Sequence, residues 1–151
     1  MLALIRELAE YERLAHEVTA TAEDVAGALF GERPDAEALL AFNDGEPVGF
    51  ALFFHNYSTF VGRRGLYLED LFVRPAARGL GIGQALLRRL AAVARERDCS
   101  RMEWAVLDWN APAIGFYQAL GAQAMDAWTV YRLDGANLAA LADGVAPEQN
   151  A

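Results

Sequence analysis

The sequence has little cysteine, little histidine and a shortage of positive charge, and each shortage excludes a class of function. Cys99 is the single cysteine among 151 residues, so an intrachain disulfide is impossible and a cysteine-based zinc site is excluded. With only two histidines, a His-rich metal site is disfavoured as well. Lys and Arg number 13 against 21 Asp and Glu, which gives a net charge of −8. A protein with a net negative charge favours a cationic or neutral partner over nucleic acid or an anionic membrane.

Long hydrophobic runs are also lacking. The longest strongly apolar stretch, Val48–Phe54, is far shorter than the ~20 residues that span a bilayer. The first residues carry no basic segment ahead of the apolar ones, so no signal peptide is predicted. The chain length predicts one domain over residues 1–151, with a frayed tail from about residue 143, and a hydrophobic content of 54% predicts a packed core. We therefore expect a soluble cytoplasmic domain with no membrane partner.

Hydrophobic spacing predicts an alternation of helices and strands. A helix is under way near residue 2, and Thr21 with Asp24 forms a weak capping box for a second helix. The turn Asn43–Glu46 separates two strands, which predicts an antiparallel hairpin. The predicted strands are Leu39–Phe42, Pro47–Tyr57, Leu66–Val73, Met102–Val106 and Trp128–Leu133; the later helices begin near Ile82 and cover Ala111–Leu120 and Leu138–Leu141. Asn110 is predicted to cap the second of these helices, and Gly121 lies where its C-terminal cap is expected.

The strand Leu66–Val73 is apolar except for two adjacent carboxylates, Glu69 and Asp70. Neighbouring residues of a strand point to opposite faces, so the two carboxylates are not expected to share a role. A carboxylate within an apolar strand is costly unless it is paired or functional. Glu69 and Asp70 are therefore candidates for either a structural ion pair or a site.

A glycine-rich segment, Arg78–Gly83, lies between a strand and the start of a long helix. Main-chain N–H groups at a helix N-terminus are unpaired and favour anions, and glycine lets an anion approach closely. The segment therefore predicts a phosphate or pyrophosphate site, to which Arg74 and Arg78 add positive charge. The P-loop spacing is absent, and Gln84 stands where a dinucleotide fingerprint has its third glycine or alanine. A turn that only reverses the chain remains the alternative.

The pattern Arg78-x-x-Gly81-x-Gly83 resembles the (Gln/Arg)-x-x-Gly-x-(Gly/Ala) signature of the GNAT superfamily of acetyl-CoA-dependent N-acetyltransferases. The likeness extends from about Leu4 to Leu141 and is closest to the diamine (spermidine/spermine-type) branch. It is carried by Tyr67–Val73, Asp108–Ala113, Phe116–Ala122, Tyr11–Glu12 and Trp128. The resemblance implies an α/β fold with a mixed, largely antiparallel sheet and helices on both faces. Family members usually have a first edge strand before the first helix; here that strand is expected to be missing.

The resemblance also implies which residues bind acetyl-CoA. The pantetheine arm is expected along the main chain of Leu71, Phe72 and Val73. The pyrophosphate is expected on the loop formed by Arg78, Gly79, Leu80, Gly81, Ile82, Gly83 and Gln84. Asn110 and Ala113 are expected to flank the cofactor, and no metal is expected.

Acetyl transfer to an amine requires removal of a proton from the ammonium and a proton for the departing thiolate. The resemblance places Tyr117 near the thioester sulfur, where a phenol can protonate the thiolate; its alternative is a core aromatic beside Phe116. Glu69 is the candidate base, acting through a water molecule, and its alternative is a structural carboxylate. Cys99 has no histidine nearby in sequence, which favours direct transfer in a ternary complex over an acyl-enzyme.

The predicted acceptor is a small polycationic amine, a diamine or polyamine. The residues that line the amine site by resemblance are Tyr11, Glu12, Glu69, Asp70, Glu103, Trp104, Asp126 and Trp128. One alternative substrate is an amino-acid side-chain amine, such as that of thialysine or lysine. Two further alternatives are a non-catalytic acyl-CoA-binding or sensing module and an unrelated nucleotide-binding domain. The resemblance also implies a homodimer, for which the apolar tail Leu138–Leu141 offers surface.

Overall fold

The computed structural model describes residues 1–145, which contain five α-helices and four β-strands. By its internal contacts the chain divides into two compact units, residues 1–107 and the residues from Asp108 onward. The first unit holds α1 (Leu2–Tyr11), α2 (Ala22–Phe30), β1 (Glu37–Asn43), β2 (Glu46–Ser58), β3 (Arg63–Val73), α3 (Ile82–Glu96) and β4 (Met102–Trp104). The second unit holds α4 (Ala111–Ala119) and α5 (Gly135–Ala142).

The sheet lies within the first unit and has the strand order β1-β2-β3-β4. The first two pairings are antiparallel and the β3–β4 pairing is parallel. Asp44 and Gly45 close the predicted β1–β2 hairpin with φ angles of 49° and 83°, the left-handed conformation that tight hairpin turns require. The expected mixed, largely antiparallel sheet is thus confirmed.

Helices cover both faces of this sheet. On one side, which we call the α1 face, Leu4 and Leu8 of α1 pack against Phe50 and Phe72. On the other side, the α3 face, Arg97 follows α3 and places its guanidinium carbon 5.9 Å from the centre of the Phe53 ring. The buried residues that line the α3 face or belong to α3 include Phe53, Leu66, Leu68, Leu86, Leu87, Leu90, Val93 and Ala94. Alternation along the strands therefore separates two cores.

A β-bulge interrupts the alternation in β3. Leu52 of β2 is the register partner of Asp70, and the next residue, Phe53, is the partner of Leu68, so Glu69 has no partner in β2. Glu69 is exposed, whereas Asp70 lies on the α1 face together with Tyr67. A strict two-residue alternation is therefore wrong in this strand, because the extra residue of a bulge shifts every later side chain by one position.

One predicted strand is absent among the described residues, and the bounds of a second strand and of a loop differ from those predicted. Residues 128–133 form no strand, since no ladder partner holds this exposed segment among the residues described. The predicted strand Met102–Val106 ends at Trp104 and is only half-buried, because β4 is a sheet edge that pairs with β3 alone. The predicted loop Ser58–Gly65 is shorter, since β2 runs to Ser58 and β3 begins at Arg63.

The helix caps agree with the sequence pattern. Thr21 and Asp24 make both hydrogen bonds of a capping box at the start of α2. In the second unit the Asn110 side chain accepts a hydrogen bond from the Ala113 N–H at 3.4 Å, and Gly121 follows α4 with a φ of 87°. These short-range features confirm the local predictions made from capping residues.

Candidate active site

The glycine loop presents free main-chain donors at the start of α3. Gly81 is the N-cap residue, and the first N–H hydrogen bond of the helix runs from Ala85 to the Gly81 carbonyl at 2.9 Å. The N–H groups of Ile82, Gly83 and Gln84 therefore have no acceptor within the helix. Gly79 and Gly81 both have φ angles of 80°, and a Cβ atom added at either would meet nothing within 4 Å. The loop combines a left-handed backbone with an open surface, as an anion site requires.

The two arginines near this loop have different roles. Arg78 donates from Nε to the Val73 carbonyl at 3.0 Å, and its guanidinium carbon lies 4.6 Å from the centre of the Tyr11 ring. Arg74 instead forms an ion pair with Glu7 at 2.6 Å, which raises the pKa of Arg74 and lowers that of Glu7. The charge of Arg74 is thus matched inside the fold, and the predicted contribution of Arg74 to the anion site is wrong.

Next to the loop, β3 extends beyond its parallel neighbour. The β3–β4 pairing ends at Leu68 and Trp104, while β3 continues to Val73 and stays paired with β2. Along Leu71–Val73, the edge of β3 on the β4 side therefore makes no ladder hydrogen bonds to β4. This is where the resemblance implies the main-chain contacts of the pantetheine arm.

The carboxyl groups of Glu12, Glu69 and Asp70 lie close together past the C-terminal end of α1; Asp70 lies on the α1 face, and we call the part of that face beyond α1 its open half. Burial, together with the negative charges of Glu69 and Glu12, raises the pKa of Asp70 from 3.8 to about 6. Burial also raises the pKa of Glu12, which ends α1. No ion pair to Asp70 is formed within the described residues. Asp70 is consequently a carboxyl group that titrates close to neutral pH.

A fourth carboxylate, Glu103, lies further along the same face. Its register partner is Tyr67, whose pKa is raised by burial and by the charges of Glu69 and Glu103. Glu103 Oε2 accepts hydrogen bonds from Asn56 Nδ2 at 2.9 Å and from Arg101 Nε at 2.7 Å. Sequence reasoning missed Asn56 and Arg101, although the two-residue spacing of Arg101 and Glu103 in an extended segment was a signal that their side chains share a face.

The remaining predicted amine-site residues lie elsewhere. Trp104 is the register partner of Leu68, which belongs to the α3 face, so the structure does not bring Trp104 together with Glu103. Tyr11 contacts Arg78 of the glycine loop. Within the second unit, Tyr117 lies on α4 with its ring 5.5 Å from that of Phe116, and Asp126 and Trp128 lie in an irregular, exposed segment.

The described residues hold neither a cluster of metal ligands nor a membrane-spanning helix. No group of three or more His, Cys, Asp or Glu side chains within residues 1–145 is arranged to hold a metal ion. None of the helices in the same range is long and apolar enough to cross a membrane.

Residues 2–122 match the family model described as the Acetyltransferase (GNAT) family. The chain is 42% identical over 153 residues to thialysine N-epsilon-acetyltransferase from Bos taurus, covering 94% of this chain and 89% of the relative. It is 35% identical over 144 residues to spermidine/spermine N(1)-acetyltransferase-like protein 1 from Homo sapiens, covering 89% of this chain and 21% of that longer protein. Among solved structures, an integron cassette protein from the mobile metagenome of V. cholerae matches with a TM-score of 0.76 and 31% identity, covering 90% of this chain and 85% of that one.

The fold and the glycine loop thus define an N-acetyltransferase. The chain belongs to the GNAT acetyltransferase family and is similar to its thialysine and spermidine/spermine branch. Members of this family use acetyl-CoA as the acetyl donor. The open, left-handed loop with its free N–H groups fits the pyrophosphate of that donor, and Arg78 adds the positive charge.

Proposed function

We propose that the protein acetylates the terminal side-chain amine of a small amino acid of the thialysine or lysine type. The observation that carries this proposal is the row of polar side chains on the open half of the α1 face. Glu12 and Asp70 lie at one end of the row, Tyr67 in the middle and Glu103 at the other end. Carboxylates beside an aromatic ring attract an ammonium group.

In this proposal Asp70 binds the reacting ammonium and accepts its proton. Only the neutral amine attacks a thioester, and the unperturbed ammonium pKa is about 10, so a base must act at neutral pH. General bases work best when their pKa is near the working pH, which favours Asp70, with its pKa raised to about 6. Glu69, the residue that the sequence favoured as the base, occupies the bulge beside Asp70 and keeps the pKa of Asp70 high.

The acyl group is supplied by acetyl-CoA as a thioester. In the proposal Arg78 and the N–H groups of the glycine loop bind its pyrophosphate, and the main chain of Leu71–Val73 holds the pantetheine arm. Asn110 caps α4 in the second unit and so orders the segment that precedes Tyr117. Tyr117 is the proposed proton donor to the thiolate.

A diamine is the second candidate substrate. The human relative named for spermidine and spermine supports it at 35% identity, against 42% for the bovine relative named for thialysine. A diamine also carries the cationic charge that the carboxylates of the α1 face attract. The amino-acid substrate is placed first because of the higher identity, which extends over 89% of the bovine relative.

A panel of amines, assayed for CoA release, tests the proposed function. Thialysine, lysine and ornithine are compared with cadaverine, putrescine and spermidine. The expected result is turnover of the amino acids at least tenfold more efficient than that of the diamines. Binding of acetyl-CoA with no turnover of any amine would favour the acyl-CoA-binding module, and stabilisation by NAD but not by acetyl-CoA would favour a nucleotide-binding domain.

Asp70→Asn tests the proposed base. The variant keeps the shape of the side chain and removes the proton acceptor, so kcat should fall about 10²-fold and the acidic limb of the pH–rate profile near pH 6 should disappear. Asp98→Asn is the matched control, because Asp98 is an exposed carboxylate paired with Arg63, and its activity should stay within about twofold. An unchanged acidic limb in Asp70→Asn would assign the base elsewhere, with Glu69→Gln as the next variant.

Tyr117→Phe tests the proposed proton donor. The change removes one hydroxyl group and keeps the ring beside Phe116, so the fold and acetyl-CoA affinity should be retained. The rate of the chemical step should fall about 10²-fold, the lower end for general acid catalysis, because the thiolate is a tolerable leaving group. A rate above half that of the unmodified enzyme, with chemistry rate-limiting, would remove Tyr117 from this role.

We also propose a homodimer. The segment that was predicted as the last strand exposes Trp128, Val130 and Tyr131 by 74%, 89% and 92%, and Leu138 and Leu141 of α5 are exposed as well. Apolar surface of this kind is typical of interfaces. Light scattering at micromolar concentration should give twice the mass of 16.5 kDa, and a monomeric mass would contradict the proposal.

A further inference from the structure

Arg101 and Glu103 form a side-chain pair that a site for ammonium groups alone would not need. A site for a simple polyamine gains from a carboxylate with an unmatched charge, but Arg101 Nε lies 2.7 Å from Glu103 Oε2 and neutralises it. A second ammonium group would therefore meet a pair with no net charge. The other atoms of the pair decide what this end of the α1 face can bind.

Glu103 Oε2 and Arg101 Nε are hydrogen-bonded within the protein, whereas the other polar atoms of the pair have no hydrogen-bond partner among the described residues. Glu103 Oε2 accepts from both Asn56 and Arg101, and no hydrogen bond to Glu103 Oε1 is formed by the residues described. Arg101 uses only Nε within the same part of the chain, so its two terminal nitrogens remain available. Both side chains are partly exposed, by 40% for Arg101 and 35% for Glu103. The pair thus offers one carboxylate oxygen and two guanidinium donors to a ligand.

The position of Arg101 is set by a glycine. A Cβ atom at Gly65 would lie 3.3 Å from Arg101 Cγ and 2.3 Å from Asn56 Oδ1, so both side chains cross the surface that Gly65 leaves empty. Gly65 is the register partner of Asn56, and that position of β2 belongs to the α1 face. Arg101, Asn56 and Glu103 are therefore ordered side by side on the face that carries Tyr67 and Asp70.

We infer that Arg101 and Glu103 bind the α-carboxylate and α-ammonium groups of a free amino acid whose side-chain amine reaches Asp70. The two free donors of a guanidinium suit a carboxylate, and the free carboxylate oxygen suits an ammonium. Because Glu69 occupies the bulge, Asp70 lies only two register positions beyond Tyr67, the partner of Glu103 on the neighbouring strand; the main chains at Asp70 and Glu103 are thus roughly 8 Å apart, taking about 3.3 Å per step along the strands and about 4.8 Å between them. A short aliphatic chain with a terminal amine, as in lysine or ornithine, can place one polar end at each of these positions.

This inference rests on the proposed function. It adds the residues that select an amino acid over the corresponding diamine, which lacks the carboxylate. The test removes the same contact from the protein and from the substrate. Arg101→Gln takes away the guanidinium, and lysine methyl ester and cadaverine take away the carboxylate of lysine. Arg64→Gln is the matched control, because Arg64 is an exposed arginine on β3 at the register position of Tyr57, on the α3 face, and its loss changes the net charge equally.

For the unmodified enzyme we expect kcat/KM for lysine to exceed that for its methyl ester at least tenfold, the size of one hydrogen bond between charged groups. Arg101→Gln should lower kcat/KM for lysine about tenfold and abolish the preference for the free acid, while kcat/KM for cadaverine should not fall and should rise if the uncovered charge of Glu103 attracts its second ammonium group. Arg64→Gln should keep that preference. Thermal unfolding of each variant verifies that it is folded.

Several outcomes would overturn the inference. An equal loss for lysine and cadaverine in Arg101→Gln would make Arg101 a structural partner of Glu103. Equal turnover of lysine and its methyl ester by the unmodified enzyme would exclude carboxylate recognition without any variant. Failure of the unmodified enzyme to acetylate any amine in the panel would instead contradict the proposed function, so the two failures can be told apart.

Discussion

The two faces of the sheet are built from the same strands and have opposite chemistry. The α3 face is closed and apolar at Phe53, Leu66 and Leu68, which are at most 2% exposed. Within residues 1–107, Leu4 and Leu8 of α1 pack on the α1 face, and beyond Glu12, where α1 has ended, this face carries carboxyl groups and Tyr67. The α3 face therefore stabilises the fold, and the polar part of the α1 face is the part that the proposed function assigns to a ligand.

The bulge at Glu69 shows how a single strand serves both faces. Leu68 is the last residue of β3 before the bulge and is buried on the α3 face, while Asp70 lies just beyond it on the α1 face. If Glu69 were paired regularly with β2 and formed no bulge, Asp70 would fall on the same side as Leu68, in an apolar core. The bulge thus directs the titrating carboxyl group toward the open face, in keeping with the frequent occurrence of bulges beside active sites.

The largest effect is expected from Leu68→Ala, which tests the closed face. Removal of a fully buried leucine side chain should lower the free energy of unfolding by about 2–5 kcal/mol, as measured by urea denaturation. Leu40→Ala is the control, because Leu40 is 42% exposed at the register position of Phe50, on the α1 face, and should cost about 1 kcal/mol or less. Equal losses would show that the two faces do not differ in packing.

Asp70→Asn is expected to raise the free energy of unfolding, by less than Leu68→Ala lowers it. The folded-state pKa of Asp70 is about 6 against an ordinary 3.8, so the folded protein binds this proton more tightly and the contribution of Asp70 to stability falls as the pH rises from about 4 to 6. The variant should be more stable than the unmodified protein by about 1–3 kcal/mol at pH 7.5. Urea denaturation at pH 7.5 and below pH 4 should show this difference at the higher pH only; a loss of stability at pH 7.5 would place Asp70 among the groups that hold the fold together.

A third variant, Gly81→Val, tests whether the glycine loop binds a ligand, as proposed for the open half of the α1 face. The alternative is that the loop only supports the fold, as the α3 face does. A branched side chain would stand where a pyrophosphate oxygen approaches, so acetyl-CoA affinity measured by calorimetry should fall at least tenfold, or about 1.4 kcal/mol. Gly45→Val is the matched control, since Gly45 has a φ of 83° in the β1–β2 turn and also meets nothing within 4 Å. Both variants should lose similar stability through backbone strain, and unchanged affinity in a folded Gly81→Val protein would show that the loop only reverses the chain.

Features that depend on a few neighbouring residues could be predicted from the sequence by itself. The capping box at Thr21 and Asp24, the hairpin turn at Gly45 and the N-terminus of α3 at the glycine loop all follow from short-range chemistry, and the structure contains each of them. The glycine signature, together with the segments Tyr67–Val73, Asp108–Ala113 and Phe116–Ala122, also indicated the family, because each of these motifs is a continuous segment. The chemistry of the donor side is therefore largely determined by local sequence.

Features that depend on pairing between distant segments were decided only by the tertiary structure. The alternation of apolar residues predicted a strand over Trp128–Leu133, but a strand exists only where another chain segment completes its hydrogen bonds, and periodicity carries no information about that partner. The bulge at Glu69 is likewise a property of the β2–β3 register, and it determined that Asp70 joins Glu12. Arg101 and Asn56 meet at Glu103 because Gly65 leaves room between strands. The sequence by itself thus determined the reaction class, and the tertiary structure decided which carboxyl groups lie together, since that depends on contacts between residues far apart in the chain.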